Sequence, residues 1–140
     1  MPPLRSFLFA PGNHPRRVEK ALTLDADAVI LDLEDAVATA EKPTARGAIV
    51  AAYGQPRTGL LYVRVNAADT EFCYGDLAAI VRAGLDGVIL PKVESAAALQ
   101  TIDWLVGNLE RAHALPAGGI DLIPIIETAK GLRDIDAILG

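Results

Sequence analysis

The chain has 140 residues, the length of one ordinary domain, with half of them hydrophobic and a net charge of −5. Its basic residues form no cluster, which argues against a nucleic-acid partner. No apolar run approaches the ~20 residues that span a bilayer. Pro2, Pro3 and Arg5 interrupt any signal-like start, and the single Cys73 excludes an internal disulfide and fits the reducing cytoplasm.

In chain order, Arg5 to Ala10 reads as a first strand, closed by the turn signal Pro11-Gly12-Asn13. Pro15 suits the first turn of a helix that runs to about Leu24, with Val18, Ala21 and Leu22 at helical spacing. The second strand is Val29-Ile30-Leu31-Asp32-Leu33-Glu34-Asp35-Ala36-Val37, a buried apolar run that ends in three carboxylates. Side chains alternate along a strand, so Ile30, Asp32 and Glu34 share one face, which turns acidic at the C-terminal end. Asp35 alone also reads as a helix N-cap. A polar loop, Thr39 to Pro43, precedes a helix from about Thr44 to Tyr53.

Gly59 to Asn66 is the third strand: Leu61, Val63 and Val65 form its apolar face, and Tyr62, Arg64 and Asn66 the other. A helix over about Tyr74 to Ala83 and a turn at Gly84 lead to the fourth strand, Gly87 to Lys92. Ser95 is placed to cap a long helix from Ala96 to about Ala114. Ile120 to Ile126 is the fifth strand, ending in Glu127, and Lys130 to Leu139 opens another helical pattern.

Five β-α units without a hairpin signal predict an α/β fold with a parallel sheet. Four strands finish on polar residues: Asp32 and Glu34, Arg64 and Asn66, Lys92, and Glu127. Such residues at the ends of several strands are the pattern of a β/α (TIM) barrel. A nucleotide-binding doubly wound sheet would concentrate its signal in one Gly-rich turn, and no G-x-G-x-x-G or P-loop motif occurs. A barrel needs eight strands, so residues 1–140 are expected to be a partial barrel domain, the first five units of a longer enzyme. A self-contained five-stranded open sheet is the alternative. With unpaired strands at both edges, the 140 residues alone are expected to aggregate or to self-associate.

The blocks Arg5-Ser6-x-Leu8-Phe9-x-Pro11-Gly12, Asp32-Leu33-Glu34-Asp35-Ala36-Val37, Val63-Arg64-Val65-Asn66, Leu90-Pro91-Lys92 and Ile126-Glu127-Thr128 follow one another in register. Together they resemble the citrate lyase β-subunit-like family of the HpcH/HpaI aldolase group. The resemblance implies a barrel enzyme, homo-oligomeric, that makes or breaks a C–C bond beside a CoA thioester of the citryl, malyl or citramalyl class, releasing a 2-oxo acid. It implies that Arg64 contacts the substrate acid and that Glu127 binds Mg²⁺. The family's second metal ligand, an Asp on the following strand, and its C-terminal catalytic acid fall outside these 140 residues. An aldolase acting on free 4-hydroxy-2-oxo acids, a thioesterase variant and a non-catalytic fragment are the alternatives.

Arg64, Glu34 and Asp32 are the candidate catalytic group, and Arg64, Glu127, Asn66 and Lys92 the candidate substrate contacts. Guanidinium grips carboxylate bidentately, which suits Arg64 to an acid substrate. Arg64 also reads as a structural ion pair with Asp32 or Glu34 on the adjacent strand, and those carboxylates as positioners before bases. Glu127 is a hard oxygen donor of the type Mg²⁺ takes, or a carboxylate favouring the next helix's N-terminus. Lys92 faces the mouth or caps solvent, and Asn66 binds substrate or closes a turn. His14 reads as a loop residue rather than a ligand, His113 as a helix-end residue, and Cys73 as a residue before a helix with no basic neighbour to activate it. Tyr62, Phe7 and Phe9 read as core residues rather than a cofactor box.

Overall fold

Five strands lie side by side in chain order in the computed structural model, which describes residues 3–140; Pro2 of the interrupted N-terminal run lies outside the described residues. They are β1 (Phe7–Pro11), β2 (Ala28–Asp32), β3 (Leu60–Arg64), β4 (Gly87–Leu90) and β5 (Asp121–Pro124). All neighbouring pairs are parallel, and the order β1-β2-β3-β4-β5 contains no reversal. Such a sheet needs a crossover between every pair. Helices α1 (Pro15–Leu22), α2 (Lys42–Ala51), α3 (Cys73–Ile80) and α4 (Ala96–Ala112) supply the four crossovers. After β5 the expected single helix is two short ones, α5 (Ala129–Arg133) and α6 (Ile135–Leu139), which share Asp134 as cap. The chain is an α/β fold with a parallel sheet, β1 and β5 are its edges, and no helix is long and apolar enough to cross a membrane among the described residues.

Helices α1 to α4 and α6 contribute to one face. Val29, Leu31, Leu61, Val63, Val88 and Leu90 point there and pack with Val18, Leu22, Ile49, Leu77, Ile80, Ile102 and Val106. Each is almost fully buried, and full burial of a side chain of this size stabilises the fold by about 1.5–3 kcal/mol. The opposite face carries Ala28, Ile30, Tyr62 and Ile89, flanked by Leu60, Ile123 and Ile125, and no helix residue joins that cluster among the described residues. Phe7 packs edge-on against Tyr62 with ring centroids 6.2 Å apart. Phe7 and Phe9 are 43% and 48% exposed, which corrects their reading as core residues. Strand parity turns them toward the face that the helices leave uncovered.

Several boundaries differ from expectation for local reasons. β2 stops at Asp32, five residues early, because the Asp32 carboxylate accepts the N–H groups of Glu34 (3.0 Å) and Ala36 (2.9 Å) and turns the chain. No helix starts at Asp35. The segment Thr39–Glu41 is a 3₁₀ turn running into α2, so the expected polar loop is already helical and Pro43 sits in the first helical turn. α3 starts at Cys73 itself and ends three residues early, at Ile80. Ser95 caps α4 as expected, its Oγ accepting the Ala98 N–H at 3.2 Å.

Candidate functional site

Asp32 and Arg64 are the last residues of β2 and β3 and stand opposite each other in register, with side chains on the face free of helices. Arg64 donates to Asp32 through both edges of its fork, Nε to Oδ1 at 2.7 Å and Nη2 to Oδ2 at 2.8 Å. Its guanidinium also lies 4.9 Å from the Phe9 ring centroid. Two parallel hydrogen bonds and a stacked ring fix the plane of this cation. Asp32 is 1% exposed and accepts four N–H groups, two from Arg64 and two from the backbone of Glu34 and Ala36. Burial pushes its pKa up, but those hydrogen bonds and the Arg64 charge outweigh it and hold the carboxyl below its ordinary range. The bonds to Asp32 in turn raise the Arg64 pKa.

Glu34 reaches the same cluster by a different route from the one parity suggests. It lies beyond the end of β2, and the turn made by Asp32 carries it beside Arg64. Its Oε2 is 3.1 Å from Arg64 Nη1, and its Oε1 accepts from Lys92 Nζ at 2.6 Å. Oε2 is buried and receives charge but no aligned hydrogen. Lys92 follows β4, with its side chain half exposed and its pKa raised by the Glu34 hydrogen bond and charge. Asp35 is exposed, 3.8 Å from the same ammonium.

Lys92 also reaches Glu127. Its backbone N–H donates to Glu127 Oε1 at 3.0 Å, across from the end of β4 to the segment after β5. Glu127 Oε2 takes no hydrogen bond or ion pair from the described residues. Asp32, Glu34, Arg64, Lys92 and Glu127 thus form one connected polar chain along the rim made by the C-terminal ends of β2 to β5. It borders a cleft of about 420 Å³ lined by Glu34, Asp69, Phe72 and Lys92, and a smaller one of about 220 Å³ lined by Phe9, Asp32 and Arg64. No three His, Cys, Asp or Glu side chains converge as a metal cluster among the described residues. Glu127 alone, with one oxygen held and the other free, suits a Mg²⁺ ion that takes one or two carboxylates and fills its remaining positions with water and substrate oxygens.

Asn66 is not bonded to the rim chain, but it lines the larger of these clefts together with Lys42. β3 ends at Arg64, so alternation no longer governs Asn66, whose side chain is buried at the floor of that cleft. Its Nδ2 donates to Leu33 O (3.0 Å) and Asp76 Oδ2 (2.7 Å), while its Oδ1 accepts from Lys42 Nζ at 2.7 Å. Lys42 went unmarked in the sequence. Its buried ammonium also donates to the carbonyls of Leu33 (2.9 Å) and Glu34 (2.6 Å), fixing the backbone that carries Glu34. Asp76 Oδ1 accepts from Arg46 Nε at 2.8 Å, so Lys42, Asn66, Asp76 and Arg46 form a second polar chain behind the first. A lysine in a helix's first turn opposes the dipole and so calls for another reason to be there. That signal depends on starting α2 at Lys42 rather than after Pro43.

The remaining candidates lie off the rim chain. His14 and His113 are exposed and flank α1 and α4. Cys73 is buried, and burial, followed by the charges of Asp76 and Asp69, pushes its thiol up to about 12.

Comparison with known proteins fits this arrangement. The family model described as HpcH/HpaI aldolase/citrate lyase matches residues 5–140. The citrate lyase subunit beta of Leuconostoc mesenteroides subsp. cremoris is 39% identical over 133 residues, covering 91% of this chain and 43% of the relative. A (3S)-malyl-CoA thioesterase of Cereibacter sphaeroides is 40% identical over 132 residues, covering 93% and 42%. A citrate lyase beta subunit from M. tuberculosis, solved in complex with oxaloacetate and magnesium, is 38% identical with a TM-score of 0.71 over 94% of this chain and 51% of that one. The chain therefore spans about half or less of the length of these relatives. With the match running over nearly all of its residues, the chain belongs to the HpcH/HpaI aldolase/citrate lyase family.

Proposed function

We propose that residues 1–140 form the first five β/α units of a TIM barrel whose rim carries a Mg²⁺-dependent carbon–carbon lyase. The barrel reading is supported by strand order without reversal, helices on one face only, and an apolar face that the helices leave open. It is supported too by the stagger of the strands: Leu60 pairs with Ala28, whereas β4 begins opposite Tyr62, two residues further along β3. Closure of a barrel requires such a shear.

The substrate is a β-hydroxyacyl-CoA-type thioester of the citryl, malyl or citramalyl class, and the product released is a 2-oxo acid. The observation that carries this reading is the Arg64 guanidinium, fixed in plane by Asp32 at a rim that also presents the free oxygen of Glu127. Arg64 grips the carboxylate end of the substrate, and Asp32 and Glu34 hold Arg64 in place and share its charge. Lys92 balances Glu34 and adds positive charge to the pocket that receives the anionic substrate. Glu127 holds Mg²⁺ through the oxygen that Lys92 leaves free. The ion, when bound, polarises the carbonyl that develops as the C–C bond breaks. The M. tuberculosis relative crystallised with oxaloacetate and magnesium supports both ligands. Asn66 lines the cleft beside Glu34 and Lys92 and there holds Lys42 and the Leu33 carbonyl in place. The protein acts in the cytoplasm as a homo-oligomer; its one cysteine is a free, buried thiol, as suits a reducing compartment.

The test is turnover by the complete protein, with and without Mg²⁺, of malyl-, citramalyl- and citryl-thioesters and of a free 4-hydroxy-2-oxo acid. Mg²⁺-dependent release of a 2-oxo acid from a thioester is expected. Turnover of the free acid alone would overturn the assignment in favour of an aldolase. The Cereibacter relative favours a second reading, hydrolysis of the thioester, detected as free CoA without a 2-oxo acid.

A further inference from the structure

We propose that Lys92 is a positioning residue whose left-handed backbone conformation aims its amide at Glu127 and so sets the metal-binding carboxylate. The inference rests on the assignment of Mg²⁺ to Glu127. Two non-glycine residues among those described have positive φ, Lys92 at 52° and Ala114 at 53°. Ala114 has an ordinary explanation. It follows the C-cap of α4, where a left-handed residue closes the helix, and the Leu115 N–H returns to the Glu110 carbonyl at 2.9 Å. Lys92 follows a strand, where no helix end calls for that conformation.

The conformation is held on both sides. The next residue, Val93, donates to Ile125 O at 3.1 Å, and Ile125 donates to Leu90 O at 2.8 Å. The first turn of α5 closes onto the Val93 carbonyl at Gly131, where a Cβ would collide with it. At Lys92 itself the amide is bonded to Glu127 Oε1 and the ammonium to Glu34 Oε1. The ammonium thus tethers a side chain whose Cβ disfavours φ > 0. A strained conformation kept in place by its surroundings at a ligand rim marks function. Here the gain is an N–H directed at one oxygen of Glu127, which leaves the other oxygen for the ion.

The reasoning separates backbone from side chain. Lys92→Gly removes the ammonium but adopts positive φ freely. Lys92→Ala removes the same ammonium and keeps the Cβ, so the strained conformation loses its side-chain tether while its cost remains. In the complete protein, calorimetric titration with Mg²⁺ alone should give the Gly variant an affinity no weaker than the parent, since a nearby cation is removed. The Ala variant, which loses the same charge, should bind about fivefold or more weakly than the Gly variant, the scale set by the cost of a left-handed residue with a Cβ. Both variants should raise KM for the acid substrate alike, because both release Glu34. Hydrogen exchange at the residue 92 amide gives a metal-free readout: protected in the parent and the Gly variant, faster in the Ala variant and in Glu127→Ala. Equal Mg²⁺ affinity in the Gly and Ala variants would overturn the inference and leave Glu127 as ligand. Failure of the parent itself to bind Mg²⁺ would remove the metal assignment and this inference together.

Discussion

Asp32→Asn changes one atom and, by the geometry of the rim, two hydrogen bonds. Each oxygen of Asp32 accepts one backbone N–H and one guanidinium N–H. Whichever way an asparagine is flipped, its NH₂ group faces two donors. One backbone bond, about 0.5–1.5 kcal/mol, and one charged bond, about 1.5–3 kcal/mol, are lost, or about 2–4.5 kcal/mol in all. The variant should therefore lower the unfolding free energy of the complete protein at pH 7 by that amount, read as a urea midpoint lowered by the free energy divided by an unchanged m-value. The pH dependence adds a second signature. The folded-state pKa of Asp32 is depressed, so its stabilisation is fully present above the unfolded value of about 3.9 and is lost as pH falls through the folded value. The gap between parent and variant should therefore narrow below about pH 4. Unfolding free energies that agree to within about 0.5 kcal/mol at pH 7, or a gap that stays constant into acid, would refute the four-bond description of Asp32.

Arg64→Lys should lower kcat/KM for the acid substrate about tenfold to a hundredfold, because the bidentate charged grip is worth about 1.5–3 kcal/mol; unchanged steady-state kinetics would take Arg64 out of the site. Asp76→Ala should destabilise by about 3–5 kcal/mol, since it leaves Arg46 and Asn66 without their shared buried acceptor, and the denaturant midpoint measures it. Cys73, buried with its thiol at about 12, should resist thiol reagents at pH 8 in the native protein and react readily in urea; rapid native labelling would contradict its burial.

The sheet was readable because each strand is an apolar run ending in charge, and because helical spacing recurs between them. Periodicity carried the reading as far as regular strand geometry lasts, which is Asp32 in β2 and Arg64 in β3. Past those points the side chains follow turns. Glu34 still arrives at the rim because Asp32 bends the chain toward Arg64, whereas Asn66, at the floor of the neighbouring cleft, spends its amide on Lys42 and Asp76. Lys42 was hidden by Pro43, which reads as loop until the helix is allowed to begin one residue before it. Phe7 and Phe9 look like core from composition, since a sequence window does not say which face of a sheet its helices cover.

The chain of Lys42, Asn66, Asp76 and Arg46 behind the rim also bears on how this protein can change over generations. Replacing such a buried polar set by a well-packed apolar one is often neutral or stabilising once complete, but each first step strands a partner without its bond and is strongly destabilising. Single substitutions therefore lead downhill in stability before any combination recovers it, and their effects combine non-additively. A lineage whose stability margin is only about 5–15 kcal/mol has little room for such an intermediate. The four residues are entrenched as a group, and the backbone of Glu34 that they hold is shielded from drift even when the rim residues themselves change.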